Sequence, residues 1–307
     1  MIQALDFGLQ LLLEGVDQAR KLPRTVTPSL RHYDSWGVTA YRARQQWPSL
    51  NVMRTYHELK DPDRSGLAQQ IAAQRQRVAQ RLAGVRRIVA VMSGKGGVGK
   101  SYVTANLARA LARAGKPVGV LDADLNGPTI PSLLGVTHTP LPTSQAVDPA
   151  IGADGVKCIS MAMLLEDGAP LSFKGPAAES FVWRGAMEAS ALRELLGDVA
   201  WGELDFLLLD LPPGMQRYLE LCDILGHPPA VLTVTIPTPE SRDAVRRAMR
   251  AAVERGSELL GIVENMVGGA LKGTAADELA REFGVRVFAR VPWHPSVNTW
   301  DGLAMIL

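Results

Sequence analysis

The sequence predicts an α/β fold, a doubly wound, mostly parallel sheet with a mainly helical N-terminal extension. Three observations predict it. Short apolar runs recur at residues 87–92, 118–121 and 206–209, each of strand length and rich in Val, Ile or Leu. The first run is followed by a glycine-rich loop and then by Val103, Leu107 and Leu111 at helical spacing, up to a stop at Gly115. The other two end in carboxylates, Asp122 and Asp124 after the second and Asp210 after the third. Open α/β sheets bind their ligands at the carboxyl ends of their strands, so these acids face a site.

The chain has 307 residues, 47% hydrophobic and 21% charged, enough to bury one large core or two modest ones. Its net charge of +2 conceals an asymmetry, because residues 1–87 hold 14 Lys and Arg against 7 Asp and Glu while the remainder holds 19 against 24. The expected division is therefore a basic, aromatic-containing, mainly helical extension at 1–87 and, at 88–307, the domain that bears the glycine-rich loop. Tyr33, Trp36, Tyr41, Trp47 and Tyr56 give the extension amphipathic aromatics of the kind used at contact surfaces. No nucleic-acid motif accompanies them, so a protein client docking on residues 1–87 is the expected partner, and nucleic acid is not.

Within the extension, residues 4–13 predict an apolar helix, ended by Pro23 and Pro28. Asp63 or Ser65 can cap the helix that follows, where Leu67, Ile71, Val78 and Leu82 form a stripe opposite Gln74, Arg75, Gln76, Arg77 and Arg81. That helix is expected to pack on the domain with its basic face in water. No apolar run approaches a membrane span, and Met1-Ile2-Gln3-Ala4 does not open a signal peptide, so a cytoplasmic protein is expected. Two cysteines, Cys158 and Cys222, are too few for a disulfide framework, and neither they nor the five histidines have metal-ligand spacing. Both thiols read as small buried apolar side chains.

The glycine loop carries the chemistry. Ser93-Gly94-Lys95-Gly96-Gly97-Val98-Gly99-Lys100-Ser101 fits G-x-x-x-x-G-K-S between a strand and a helix, the context that makes it a phosphate-binding loop and the sheet one of the P-loop NTPase type. Glycines let successive backbone N–H groups face the phosphates, and the helix N-terminus adds its positive end. The expected nucleotide-binding set is Gly94, Lys95, Gly96, Gly97, Val98, Gly99, Lys100, Ser101 and Tyr102. Lys100 reaches the β- and γ-phosphates and Ser101 ligates Mg²⁺. Asp210 has the place of the second Mg²⁺ ligand, Asp122 that of a ligand through the ion's water shell, and Asp124 that of the residue orienting the attacking water.

With Lys95 inside the loop, K-G-G-V-G-K-S resembles the signature of the deviant Walker A ATPases, the group of nitrogenase iron protein, MinD, ParA and the Mrp/ApbC proteins. The chain looks most like Mrp/ApbC. Matching stretches run from Leu121-Asp122-Ala123-Asp124 to Pro131, through Val182-Trp183-Arg184-Gly185, from Trp201-Gly202-Glu203 to Pro212-Pro213-Gly214, and through Gly261-Ile262-Val263-Glu264-Asn265-Met266. The resemblance covers about residues 85–296. It implies a homodimer around two ATP or ADP molecules, with Lys95 of each chain reaching the phosphates of the other. It also implies that Asn265 reads the adenine edge and that Val291-Pro292-Trp293 closes over the base.

The departures bear equally on function. Mrp/ApbC proteins follow the Glu-Asn-Met stretch with Cys-x-x-Cys, from which two subunits hold an iron–sulfur cluster, whereas Val267-Gly268-Gly269-Ala270-Leu271-Lys272-Gly273 stands here. Thiolates are the ordinary ligands of such clusters, so none is expected on this chain alone. Met215-Gln216-Arg217 replaces the family's Thr-Gly-Asp after Gly214, removing a carboxylate and adding a cation, and Tyr102 replaces a small hydroxyl residue. The chain also ends at Leu307, earlier than the family's usual pattern. The expected activity is slow, Mg²⁺-dependent ATP hydrolysis by a dimeric switch, with Lys95, Lys100 and Asp124 catalytic. The alternatives are an iron–sulfur or metallocentre assembly ATPase using partner-supplied ligands, and a MinD/ParA-like docking module with a structural nucleotide.

Overall fold

The computed structural model describes residues 67–124, 127–137, 140–142, 146–160, 163, 179–293 and 300. The expected helix at 4–13, the aromatics at 33–56 and the caps Asp63 and Ser65 lie outside the described residues.

In chain order the described elements are α1 (Leu67–Arg81), β1 (Val85–Ser93), α2 (Lys100–Arg113), β2 (Val118–Asp122), the single turn α3 (Ile130–Leu133), the two-residue strands β3 (Leu141–Pro142), β4 (Val147–Asp148) and β5 (Ala150–Ile151), and β6 (Lys157–Ser160). There follow α4 (Glu179–Asp198), β7 (Leu204–Asp210), α5 (Gln216–Leu225), β8 (Ala230–Thr235), α6 (Pro239–Glu254), β9 (Leu259–Val267), α7 (Ala275–Phe283) and β10 (Val287–Pro292). Eight strands form one sheet in the order β10-β9-β8-β1-β7-β2-β6-β5. Every neighbouring pair is parallel except β5 with β6, which makes an antiparallel edge. From β1 the chain winds one way to β2 and β6, returns to insert β7, and then winds the other way through β8, β9 and β10, which is the doubly wound plan.

The central strands read as continuous apolar runs because both of their faces are covered. Along β7, Leu207 and Leu209 enter one core and Phe206 and Leu208 the other, and β1 divides Ala90 and Met92 from Val89 and Val91 in the same way. The first core is closed by side chains of α1, α4 and α5, including Val78, Leu192, Leu195 and Tyr218. The second is closed by Val103, Leu107 and Leu111 of α2 and by Ile130 of α3. A smaller cluster joins α6 and α7 to β9 through Val245, Met249, Leu279 and Ile262.

Two sequence expectations shift in position. Strand β1 starts two residues ahead of the expected run at 87–92, since Val85 already pairs with Leu204. Of the described stripe residues at α1, Val78 and Leu82 are buried, whereas Ile71 is exposed. There Val78 faces Gly197 of α4, and Arg77 Nη1 donates to Asp198 Oδ1 at 3.0 Å.

The helix at 241–255 differs more. The alternation of Arg242, Arg246, Arg247 and Arg250 with Ala244, Val245, Ala248 and Val253 predicts one solvated basic face, but Arg242 pairs with Glu278 of α7 at 2.7 Å, and Arg246 and Arg250 both pair with Glu282, at 2.6 and 2.7 Å. The partner carboxylates come from another helix, so periodicity along α6 alone is blind to them. Exposed pairs of this kind each contribute little, and a network fixes orientation more than it adds stability.

Because Val78 is the buried anchor of α1, Val78→Ala is expected to lower unfolding free energy by about 1–3 kcal/mol. Urea denaturation of the variant beside the wild type checks this; an unchanged midpoint would mean that α1 does not dock on α4 in solution.

Candidate nucleotide site

The strand registers assemble the site before any side chain is considered. Asp122 of β2 is the register partner of Asp210 of β7, and Asp210 is in turn the partner of Val91, two residues before the glycine loop leaves β1. Two carboxylates therefore stand side by side at the edge where the loop begins. The loop's path is set by close approaches. A Cβ on Gly94 would stand 2.2 Å from the Ala244 backbone of α6, and one on Gly99, which has φ +77°, would stand 2.3 Å from Asn265 Nδ2. Only glycine fits at either place. Around Gly97 no atom lies within 4 Å of a Cβ position, so the middle of the loop is open to a ligand.

Asp210 gathers the residues of this loop and its helix. Its carboxylate is fully buried and accepts from Lys100 Nζ at 2.7 Å, from Ser101 Oγ at 2.6 Å and from Thr104 Oγ1 at 2.8 Å. Lys100, itself buried, is thus neutralised by a carboxylate. A buried ammonium without such a partner would be costly, so this pair ties the first residue of α2 to the end of β7. The oxygens of Ser101 and Asp210 are hard donors side by side, a set that suits Mg²⁺, which takes one or two protein ligands and completes its shell with phosphate and water. The described residues contain no cluster of three or more His, Cys, Asp or Glu able to hold a metal by themselves.

Asp122 is buried deeper in the turn that follows β2. Its oxygens accept from the backbone N–H groups of Asp124, at 3.2 Å, and Ile130, at 3.1 Å, and from Ser160 Oγ at 3.3 Å. Burial, and then the neighbouring Asp210 charge, outweigh those donors and push its carboxyl up to about 7. Asp124 is half-buried and closes the turn, accepting from the Gly127 N–H at 3.3 Å.

On the other side of the loop, Asn265 of β9 donates through Nδ2 to the Val98 carbonyl at 2.9 Å. Pro292 ends β10 as the register partner of Val267, two residues on from Asn265. Next to Asn265, Glu264 is buried between the N-terminus of α7, where it accepts from Ala276 N at 3.2 Å, and Arg290, at 3.2 Å. Lys95 lies half-buried in the loop, near enough to Glu240 to add to the lowering of that carboxyl, which the N–H groups and Thr238 hydroxyl at the start of α6 produce first. Tyr102 follows Ser101 and packs edge-on to Trp300, ring centroids 5.6 Å apart. Arg217, which the sequence puts near the phosphates, is instead buried on α5 in an ion pair with Glu220.

Comparison with known proteins agrees with this geometry. Residues 84–301 match the family model described as ParA, NUBPL iron-transfer P-loop NTPase. The chain belongs to that family. Among curated relatives, the iron-sulfur cluster carrier protein of Saccharolobus solfataricus is 36% identical over 245 residues, covering 75% of this chain and 78% of that protein. The protein of the same name from Mycobacterium tuberculosis is 34% identical over 300 residues, covering 94% of this chain and 72% of that one. Among solved structures, a nucleotide-binding protein from Archaeoglobus fulgidus in complex with ADP superposes with a TM-score of 0.58 at 32% identity, covering 76% of this chain and 92% of that one. The Mrp/ApbC-type likeness read from the motifs and the P-loop NTPase fold are both borne out.

Three contributors were missed in the sequence. Thr104 is four residues after Lys100 and shares its helical face, a signal that was available. Ser160 gave none, and Glu264, though part of a matching stretch, gave no sign of its contacts with Ala276 and Arg290.

The family member's apo stability is expected to depend on Asp122. Its folded-state pKa of about 7 lies above the ordinary 3.8, so the folded chain keeps a proton that the unfolded chain releases. That contribution is full below about pH 4 and is lost as pH rises through about 7. Urea midpoints of wild type and Asp122→Asn between pH 5 and 8 check the sign: the variant is expected to gain on the wild type as pH rises, and a constant offset would mean that Asp122 is ionised throughout.

Proposed function

We propose that this protein is an ATP-binding, slowly hydrolysing homodimeric switch of the iron–sulfur assembly P-loop family, acting on a protein client and holding no cluster through its own cysteines. The observation that carries the reading is the buried Lys100–Asp210–Ser101 set beneath an open glycine loop. Its charges and donors suit a nucleoside triphosphate with a divalent cation.

In this reading Lys100 and the loop N–H groups hold the β- and γ-phosphates, and Lys95 of the partner subunit adds a second ammonium where negative charge grows as water attacks the γ-phosphorus. Asp124 orients that water. Ser101 and Asp210 hold Mg²⁺, with Asp122 behind its water shell, and the ion supplies charge neutralisation at the β- and γ-oxygens when bound. Asn265 and Pro292 receive the base. The Asn265 amide already in contact with Val98 makes the base site and the phosphate loop one mechanical unit.

The absence of a cluster rests on the two thiols. Cys158 sits fully buried on β6, its pKa pushed up to about 12 by burial, and Cys222 is buried on α5. Thiolates bind iron, and these positions oppose forming one. Slow turnover is expected because the residue after the family's switch glycine that is elsewhere acidic is here Arg217, committed to Glu220. A second reading follows from family membership with buried cysteines: assembly of a cluster whose ligands a partner supplies. The client, in either case, has the basic N-terminal residues available as a docking segment.

Turnover of MgATP and molecular mass by light scattering, with and without ATP, test the proposal. Wild type is expected to hydrolyse slowly and to dimerise with ATP; Lys95→Ala is expected to lose the ATP-dependent dimer and Asp124→Ala to lose on the order of a hundredfold in turnover. Unchanged behaviour of Lys95→Ala would remove the partner-lysine role. One tightly held, unhydrolysed nucleotide per chain would favour a docking module with a structural nucleotide.

A further inference from the structure

The three donors to Asp210 are not equivalent. Lys100 Nζ and Thr104 Oγ1 share Oδ1, at 2.7 and 2.8 Å, while Ser101 Oγ alone reaches Oδ2, at 2.6 Å. If the site takes a nucleotide with its cation, as proposed above, two of these donors acquire other partners: the ammonium turns to phosphate and the serine oxygen to the cation. Thr104 acquires none. It is fully buried on α2, and its one proton is shared between Asp210 Oδ1 and the Lys100 carbonyl, the latter farther at 3.0 Å. The nearer, charged acceptor is the stronger one.

We propose that Thr104 is a positioning residue for the cation-binding carboxylate: it keeps hold of Oδ1 when Lys100 leaves for the phosphates, so that Oδ2 stays turned toward the metal. The carboxylate needs such a holder. Asp210 is entirely removed from water, and its register neighbour is a second buried carboxyl, Asp122, whose hydrogen bonds run to Asp124, Ile130 and Ser160. Without Thr104 the loaded site leaves Oδ1 with no side-chain donor among the three seen here, and the carboxylate is free to rotate away from the ion. The hydroxyl on the threonine therefore serves Mg²⁺ binding without touching Mg²⁺. Wherever Lys100 stays on Oδ1, as in the contact seen here, that oxygen keeps a donor, so the loss is concentrated in the metal-loaded state.

The test is calorimetric titration of ADP into the full-length protein across a series of Mg²⁺ concentrations and in EDTA, for wild type, Thr104→Val and Thr104→Ser. Thr104→Val keeps the shape and removes the hydroxyl; it is expected to need about tenfold more Mg²⁺ for half-maximal tightening of ADP, with little change in EDTA. Thr104→Ser is expected to restore the wild-type Mg²⁺ dependence. Thr104→Ala carries the same expectation as valine should the valine variant not fold. A Thr104→Val protein with wild-type Mg²⁺ dependence overturns the inference, as does an equal loss in EDTA that serine does not rescue, which marks a purely structural role. Wild type that binds no ADP at any Mg²⁺ concentration overturns the nucleotide reading itself, and this inference with it.

Discussion

A buried ammonium meeting a buried carboxylate, Lys100 on Asp210, is the contact on which the rest of the structure depends. Neither charge is tolerable alone in that position, and removing one partner of such a pair costs on the order of 3–5 kcal/mol. The pair therefore ties the first turn of α2 to the end of β7, and it can form only if β7 is inserted between β1 and β2 in the observed register. Sheet topology, loop conformation and candidate chemistry are in this sense one constraint. A phosphate at the loop would compete with Asp210 for the Lys100 ammonium.

Around that contact the molecule is built in two unlike halves. On the β2 side, a dense set of backbone N–H groups and the Ser160 hydroxyl hold Asp122 in place. Across the loop, α6, α7, β9 and β10 are knit by arginine–carboxylate pairs, from Arg242 and Glu278 to Arg290 and Glu264, with Asn265 as the link to the Val98 carbonyl. Asn265 holds the Val98 carbonyl at the Val98–Gly99 bend, and its neighbour Glu264 holds the first turn of α7. Gly94 packs without clearance on α6, so movement of the loop is also felt there.

Much of the fold was legible because its strands are short apolar runs ending in chemically distinct residues. The loop, Lys100, Ser101 and Asp210 were legible for the same reason: a glycine pattern and an acidic strand end are local signals. What sequence did not disclose were contacts made between elements. Thr104, Ser160 and Glu264 act on residues up to 106 positions away, the arginines of α6 are matched by carboxylates of α7, and Arg217 turns to Glu220 rather than to the phosphate loop. Periodicity gives a residue's face and not its partner. The roles of Lys95, Asp124 and Pro292 are a different case, since they concern a bound nucleotide and a second subunit.

The central claim is that this family member has kept the nucleotide machinery while its two cysteines have gone to the core. Iron, acid-labile sulfide and nucleotide per chain, measured after anaerobic purification and cluster reconstitution with and without MgATP, test it most directly. The account predicts bound nucleotide with no stoichiometric cluster. A cluster present at stoichiometric amount, and lost on Cys158→Ser or Cys222→Ser, would contradict it.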